Sequence, residues 1–189
     1  MNKEKRSTHR ERVKIWNTVF GYAYSEAAEI KGIPTDWNPK GDKLSDEDIH
    51  KLRLLIFLIL AIETRASHLV LERVDDNITS AQGESLIHLN FKQQWGLLPL
   101  LYQRPKGIKV DFTKGSPHKI INDLKDIRDM LFHADLPGLL SYLNSKKPED
   151  LVQYVVQFWD AMEDMNVLLG RDRRNTSKPE ILAMVNKLR

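Results

Sequence analysis

Arg128 and His133 are the residues of this sequence whose types and spacing best suit chemistry on a phosphate. Arginine is permanently charged and grips phosphate through two parallel N–H···O bonds. Histidine takes or gives a proton near neutral pH. Together the two can cleave RNA without a metal. The imidazole removes the proton of the ribose 2′-OH, and the freed oxygen attacks the adjacent phosphorus. The guanidinium stabilises the extra negative charge of the pentavalent transition state. The products expected are a 2′,3′-cyclic phosphate and a 5′-OH.

The element that must position this pair is a helix starting at Ser116-Pro117, with Ser as N-cap and Pro at the first helical position, and stopping by Pro137-Gly138. At about 100° per residue, with Ile121 as the zero of the wheel, Ile120, Leu124, Ile127 and Leu131 form its core face, and Arg128 lies at the edge of that face. His133 falls roughly 140° further round, so a straight helix keeps the two side chains apart. A helix end that frays at His133, or two copies meeting across a dimer, would bring them to one site. The other reading of the same residues is an Arg128 ion pair with Asp126 or Asp129 and a histidine closing the helix C-terminus.

Further polar residues fall on what reads as the central helix. Ser45 suits an N-cap, with Asp48 three residues on, much like a capping box, and Asp46, Glu47 and Asp48 place negative charge in the first turn. The helix is expected to run to about Val74 and is apolar all round from Leu54 to Ile62, as a helix surrounded by others is. Glu63, Arg65 and His68 follow that stretch and need partners. They either line the site as supporting groups that orient Arg128 or His133, or pair among themselves and with Glu72 and Arg73.

The rest of the chain reads as helices and loops. A first helix is expected over about 8–30, with Val13, Trp16, Phe20 and Tyr24 as its stripe. Residues 31–44 read as an exposed Pro/Gly connection carrying Trp37, and 75–82 as a polar turn. One or two short helices, interrupted near Pro99, fill 84–102, and 103–115 is a loop. A helix from Pro148 to about Leu169 is ended by Gly170, and a last short one starts at Ser177. No strand alternation and no repeat stands out. The expected fold class is all-α, an up-and-down bundle of four to five main helices in one domain.

Composition narrows the function classes. The 189 residues are 41% hydrophobic, enough for an ordinary core, and the formal charge of +3 permits an anionic partner without requiring one. With no Cys, disulfides, thiolate metal clusters and thiol nucleophiles are excluded. His50, His68, His88 and His118 lack zinc-type spacing, so no metal or cofactor is expected. The run Leu54–Ile62 is shorter than the roughly 20 residues of a membrane span, and the basic N-terminus leads into no signal-type segment. A soluble, cytoplasmic protein is expected. Phe91, Trp95, Phe158 and Trp159 read as core aromatics. Lys3, Lys5, Arg6, Arg10 and Arg12, and separately Arg171, Arg173 and Arg174, could grip RNA phosphates or simply face solvent.

The segment DLKDIRDMLFHAD resembles the signature of the HEPN superfamily of helical RNases and nucleotide-binding domains: Arg, four to six residues, then His, with a polar residue after the Arg. Here the stretch is Arg128-Asp129-Met130-Leu131-Phe132-His133. AIETRASHLVLERV and FKQQWGLLPLL upstream are similar to the layout of some HEPN proteins, which extends the resemblance over about 45–170. It implies a bundle of four or five helices and a two-fold homodimer whose motifs share one cleft. It further implies Arg128 and His133 as the catalytic pair, Asp129 as a supporting polar residue, RNA as substrate, and a toxin or defence role with an antitoxin or nucleotidyltransferase partner. One toxin branch carries a modifiable Tyr two residues after the His. This chain has Asp135 there, which sets it apart from that branch. The resemblance equally allows a non-catalytic nucleotide-binding or protein-interaction module.

Overall fold

A computed structural model describes residues 18–30, 46–74, 76–104, 108–133, 135–171 and 179–189. Eight helices occur among the described residues and no strand does, only an isolated bridge between Val74 and Ile78. The protein is an all-α helical bundle. The helices are α1 (18–30), α2 (Asp46–Leu71), α3 (Ser80–Ile87), α4 (Phe91–Leu101), α5 (Lys119–Phe132), α6 (Leu136–Ser145), α7 (Pro148–Leu168) and α8 (Pro179–Leu188).

The centre is α2, which packs on α3, α4, α5, α6 and α7. Leu54, Leu55, Leu58, Ala61 and Ile62 are fully buried, as an apolar helix inside a bundle requires. Its apolar stretch is not enclosed on every side, however, because Ile56 and Leu60 reach solvent. By length and composition α2 could cross a membrane, but 61% of that apolar window is buried inside the bundle. It also carries the buried polar side chains of Lys51, Arg65 and His68. Phe20 of α1 packs against Phe158 and Trp159 of α7, so the three rings share one core with Phe91 and Trp95.

Several boundaries differ from those the sequence predicts. The stretch expected to be a polar turn already contains the start of α3. Thr79 and Gln82 form a reciprocal capping box, and a Cβ at Gly83 would press on Val74, so the helix packs closely under the end of α2. The break after α3 falls at His88–Asn90 and not at Pro99, because Asn90 and Gln93 form a second capping box and restart the chain as α4. Pro99 sits inside the last turn of α4, where it removes the N–H that would bond to Trp95 O without ending the helix.

The motif helix starts two residues later than Ser116-Pro117 predicts. Ser116 Oγ accepts from the His118 N–H and closes a preceding turn, and the helix begins at Lys119. It ends earlier, at Phe132, and a helix the sequence reading lacked follows. Asp135 caps α6 through the Gly138 N–H at 3.0 Å, which makes Pro137 an early helical residue rather than a stop signal. The predicted span of α7, from Pro148 to Gly170, matches the observed helix. The expected helix over 8–30 is seen from residue 18. Val13, Trp16, Trp37, Ser45, the basic N-terminus, Arg173 and Arg174 lie outside the described residues.

Candidate functional site

Ile120, Ile121, Leu124 and Ile127 are buried and fix the rotation of α5 on α2. That rotation places Arg128 at the edge of the interface, facing Glu63 of α2. Arg128 donates its Nε–H to Glu63 Oε1 at 2.7 Å. Their side chains are 26% and 33% exposed, so the pair is neither a solvated surface contact nor a buried one. The same guanidinium lies 4.4 Å from the ring centre of Phe132, one turn further along. Phe132 is 70% exposed, so Arg128 is held between a carboxylate on one side and an open aromatic face on the other.

Asp129 adds a second carboxylate. It lies 3.5 Å from Arg128 Nη1 and accepts from Lys125 Nζ at 2.5 Å. The Lys125 hydrogen bond holds its carboxyl below the usual carboxylate range. Slight burial opposes this, and the charges of Lys125, Arg128 and His133 add to the lowering. Asp129 therefore stays ionised between the two motif residues. His133 is the C-cap of α5, where its backbone N–H bonds to Asp129 O and Leu131 O. Its side chain is exposed.

Of the six site residues expected from sequence, the fold brings Arg128, Asp129 and Glu63 together and places His133 one helical turn beyond Asp129. No hydrogen bond joins the side chains of Arg128 and His133, as their angular separation on α5 requires. Arg65 and His68 go elsewhere. Arg65 Nη1 pairs with His68 Nδ1 at 3.1 Å, and His68 Nε2 lies 3.5 Å from Glu72, all on the buried far side of α2. They support the end of the bundle, not the Arg128 region. The two readings of the α2 cluster thus divide, with Glu63 joining Arg128 and its neighbours pairing among themselves. The stacking of Phe132 under Arg128 was not foreseen; the i, i+4 spacing of the two residues is the signal that could have found it.

His50 and His118 have structural partners. His50 Nδ1 meets Glu26 at 2.7 Å and ties α1 to α2. His118 accepts from Trp95 Nε1 at 3.2 Å through Nδ1, which leaves the proton on Nε2 facing Asp164 at 3.0 Å. Phe91, Trp95, Phe158 and Trp159 are all buried core, as their spacing predicts.

The fold and these contacts define a class: an all-helical bundle that holds an arginine and an exposed histidine at one end of a helix. No family model, curated protein or solved structure matches the chain.

Proposed function

We propose that the chain is a metal-independent endoribonuclease of HEPN type, working in the cytoplasm as a homodimer, in a toxin or defence role. The observation that supports this most is the Glu63–Arg128–Phe132 arrangement beside exposed His133. Glu63 takes the Nε of Arg128 and Asp129 lies 3.5 Å from Nη1, which leaves Nη2 to meet a phosphodiester. Phe132 offers a flat face on which a base can stack. His133 is open to solvent and free to accept the 2′-OH proton.

The dimer resolves the angular gap between Arg128 and His133. Ile56, Leu60 and Glu63 follow one another along one stripe of α2, and Ile56 and Leu60 are 36% and 42% exposed. A second copy seated on that stripe and on Phe132 would face two Arg128 and two His133 across one cleft. One imidazole takes the 2′-OH proton as the 2′-oxygen attacks phosphorus. The imidazolium of the other copy then gives its proton to the departing 5′-oxygen, leaving a 2′,3′-cyclic phosphate and a 5′-OH.

The test is cleavage of RNA by the full chain in excess chelator, with product ends analysed. Activity that is lost in both Arg128→Ala and His133→Ala, with helicity and melting unchanged, supports the reading. Equal cleavage in the variants and the parent would sink it. The Glu63 ion pair also favours a second reading, in which Arg128 is committed to structure and the module binds a nucleotide or protein without cutting. Nucleotide or RNA binding without cleavage would select it.

A further inference from the structure

At the far end of α2 lies a cationic cluster that the proposed reaction does not use. Glu72, at its centre, is roughly 13 Å from Glu63 along the helix, nine residues at the α-helical rise. The C-terminal ends of α2, α4 and α7 meet there. Tyr102, just after α4, donates its hydroxyl to Glu72 Oε2 at 2.6 Å. Arg171, just after α7, bonds to Glu72 and also to Tyr102 Oη at 2.7 Å. The Arg73 guanidinium lies 3.9 Å from the centre of the Tyr102 ring, and that of Arg171 lies 5.0 Å from it. Arg104 Nη1 stands 2.6 Å from where a Cβ on Gly170 would be, so its guanidinium rests on the backbone beside Arg171. Arg65 is buried at the base of the group.

Cations near helix C-termini are expected, because the carbonyl ends carry partial negative charge. Here those carbonyls are already occupied. At the end of α2, His68 O, Val70 O and Leu71 O accept from the backbone. At the end of α4, Leu98 O, Pro99 O and Leu100 O accept from the backbone and Leu101 O from Asn77. Gly170, at φ +71°, closes α7 by a Schellman turn, with Gly170 N–H on Val167 O and Arg171 N–H on Asn166 O. The guanidiniums are therefore not used up as caps.

Their donors are not all used elsewhere either. The buried Nε–H groups of Arg73 and Arg104 find no acceptor among the described residues. A guanidinium offers five N–H donors, and a buried one left unsatisfied is costly. Asp76 meets Arg73 Nη1 only at 3.7 Å and is itself largely exposed. Burial lowers the pKa values of Arg65 and Arg171 to about 10, and the charge of Arg65 adds to the lowering at Arg171. Both remain charged at neutral pH, so they repel each other in a partly desolvated place.

We propose that Arg65, Arg73, Arg104 and Arg171, arranged around Tyr102, form a binding site for a multiply charged phosphoryl anion. The anion is free phosphate or pyrophosphate, or the phosphate chain of a nucleotide. Arg73 and Arg104 supply the unpaired donors, Arg171 and Tyr102 border the site while bonded to Glu72, and Arg65 is a fixed charge beneath. Three acceptor oxygens on one small group satisfy planar donors arriving from several directions, which a chloride ion or a single carboxylate does not. The site is independent of the Arg128 region and of whether that region cuts RNA.

The test is a titration of the full-length chain, with ionic strength held constant by sodium chloride, using inorganic phosphate, pyrophosphate and ATP in separate arms. Arginine Nε–Hε resonances are followed by NMR. Saturable shifts of Arg73 and Arg104, half-complete below ~1 mM for at least one arm, support the site. They should vanish in Arg73→Gln and Arg104→Gln and persist in Arg53→Gln, an exposed cation of α2. ATP outcompeting pyrophosphate identifies the source as a nucleotide, and equal binding identifies the free anion. Shifts that grow linearly in every arm, or that match those from added chloride, overturn the proposal. The wild-type titration decides this even if a variant fails to fold.

Discussion

Arg128 on α5 donates to Glu63 on α2 across 65 residues of sequence, at 2.7 Å, and this bond sets the direction of the motif arginine. It leaves the guanidinium against Phe132, with Nη1 3.5 Å from Asp129. Glu63→Gln should therefore affect activity more than stability. An ion pair this open contributes about 0–1 kcal/mol, so melting should barely change. RNA cleavage should fall through kcat as Arg128 loses its orientation. A variant that cuts at the parental rate would remove Glu63 from the site.

Arg128→Ala and His133→Ala separate charge stabilisation from proton transfer. Losing the arginine should lower the cleavage rate by about 10²–10³, the range for a group that stabilises a developing anion. Losing the histidine should lower it by about 10²–10⁴ and flatten the acid limb of the pH–rate profile. Arg128→Lys should not restore activity, since an ammonium cannot supply the planar pair of donors. Single-turnover kinetics with a short RNA would check all three.

Leu60→Lys places a charge in the middle of the exposed stripe of α2. If that stripe joins two copies, light scattering after size exclusion should report a monomer for the variant and a dimer for the parent. Unchanged helicity would show that the bundle survives, because the residue packs against solvent on that side. A variant that still runs as a dimer would place the interface elsewhere.

Asp135 caps α6 through the Gly138 N–H, and a Cβ at Gly138 would collide with its carboxylate. Asp135→Ala should cost about 0.5–2 kcal/mol in a denaturant midpoint, the usual range for a lost N-cap. Gly138→Ala should push the flexible carboxylate off the Gly138 N–H and so weaken the same cap. Parental stability in both would mean that α6 does not depend on this cap.

His118 carries a pH dependence with a definite sign. Burial pushes its pKa below the ordinary 6.5, and Asp164 only partly opposes this. Below 6.5 the unfolded chain takes up a proton that the folded chain excludes. This contribution to stability is thus full above 6.5 and is lost as pH falls from there through the folded value. Denaturant unfolding at about pH 7.5 and about pH 5.5 should show a smaller loss in His118→Gln than in the parent. Identical losses would mean that His118 is not the titrating group.

The sequence by itself determined what depends on near neighbours along the chain. The limits of α7 follow from Pro148 and Gly170, which start and stop a helix by fixed backbone preferences. The core face of α5 and the burial of Trp95 and Trp159 follow from helical spacing of apolar residues. Where a local signal had two uses, the neighbouring packing chose between them. Pro137-Gly138 looks like the stop of one helix and is the start of another, because Asp135 is placed to cap it. Only the tertiary structure decided the partners of the α2 polar residues. Glu63 and Arg65 are two apart and so lie about 200° apart on the helix. One therefore meets Arg128 at the edge of α5, and the other turns inward to His68. That choice depends on how α5 is rotated against α2, and buried side chains from both helices set the rotation together.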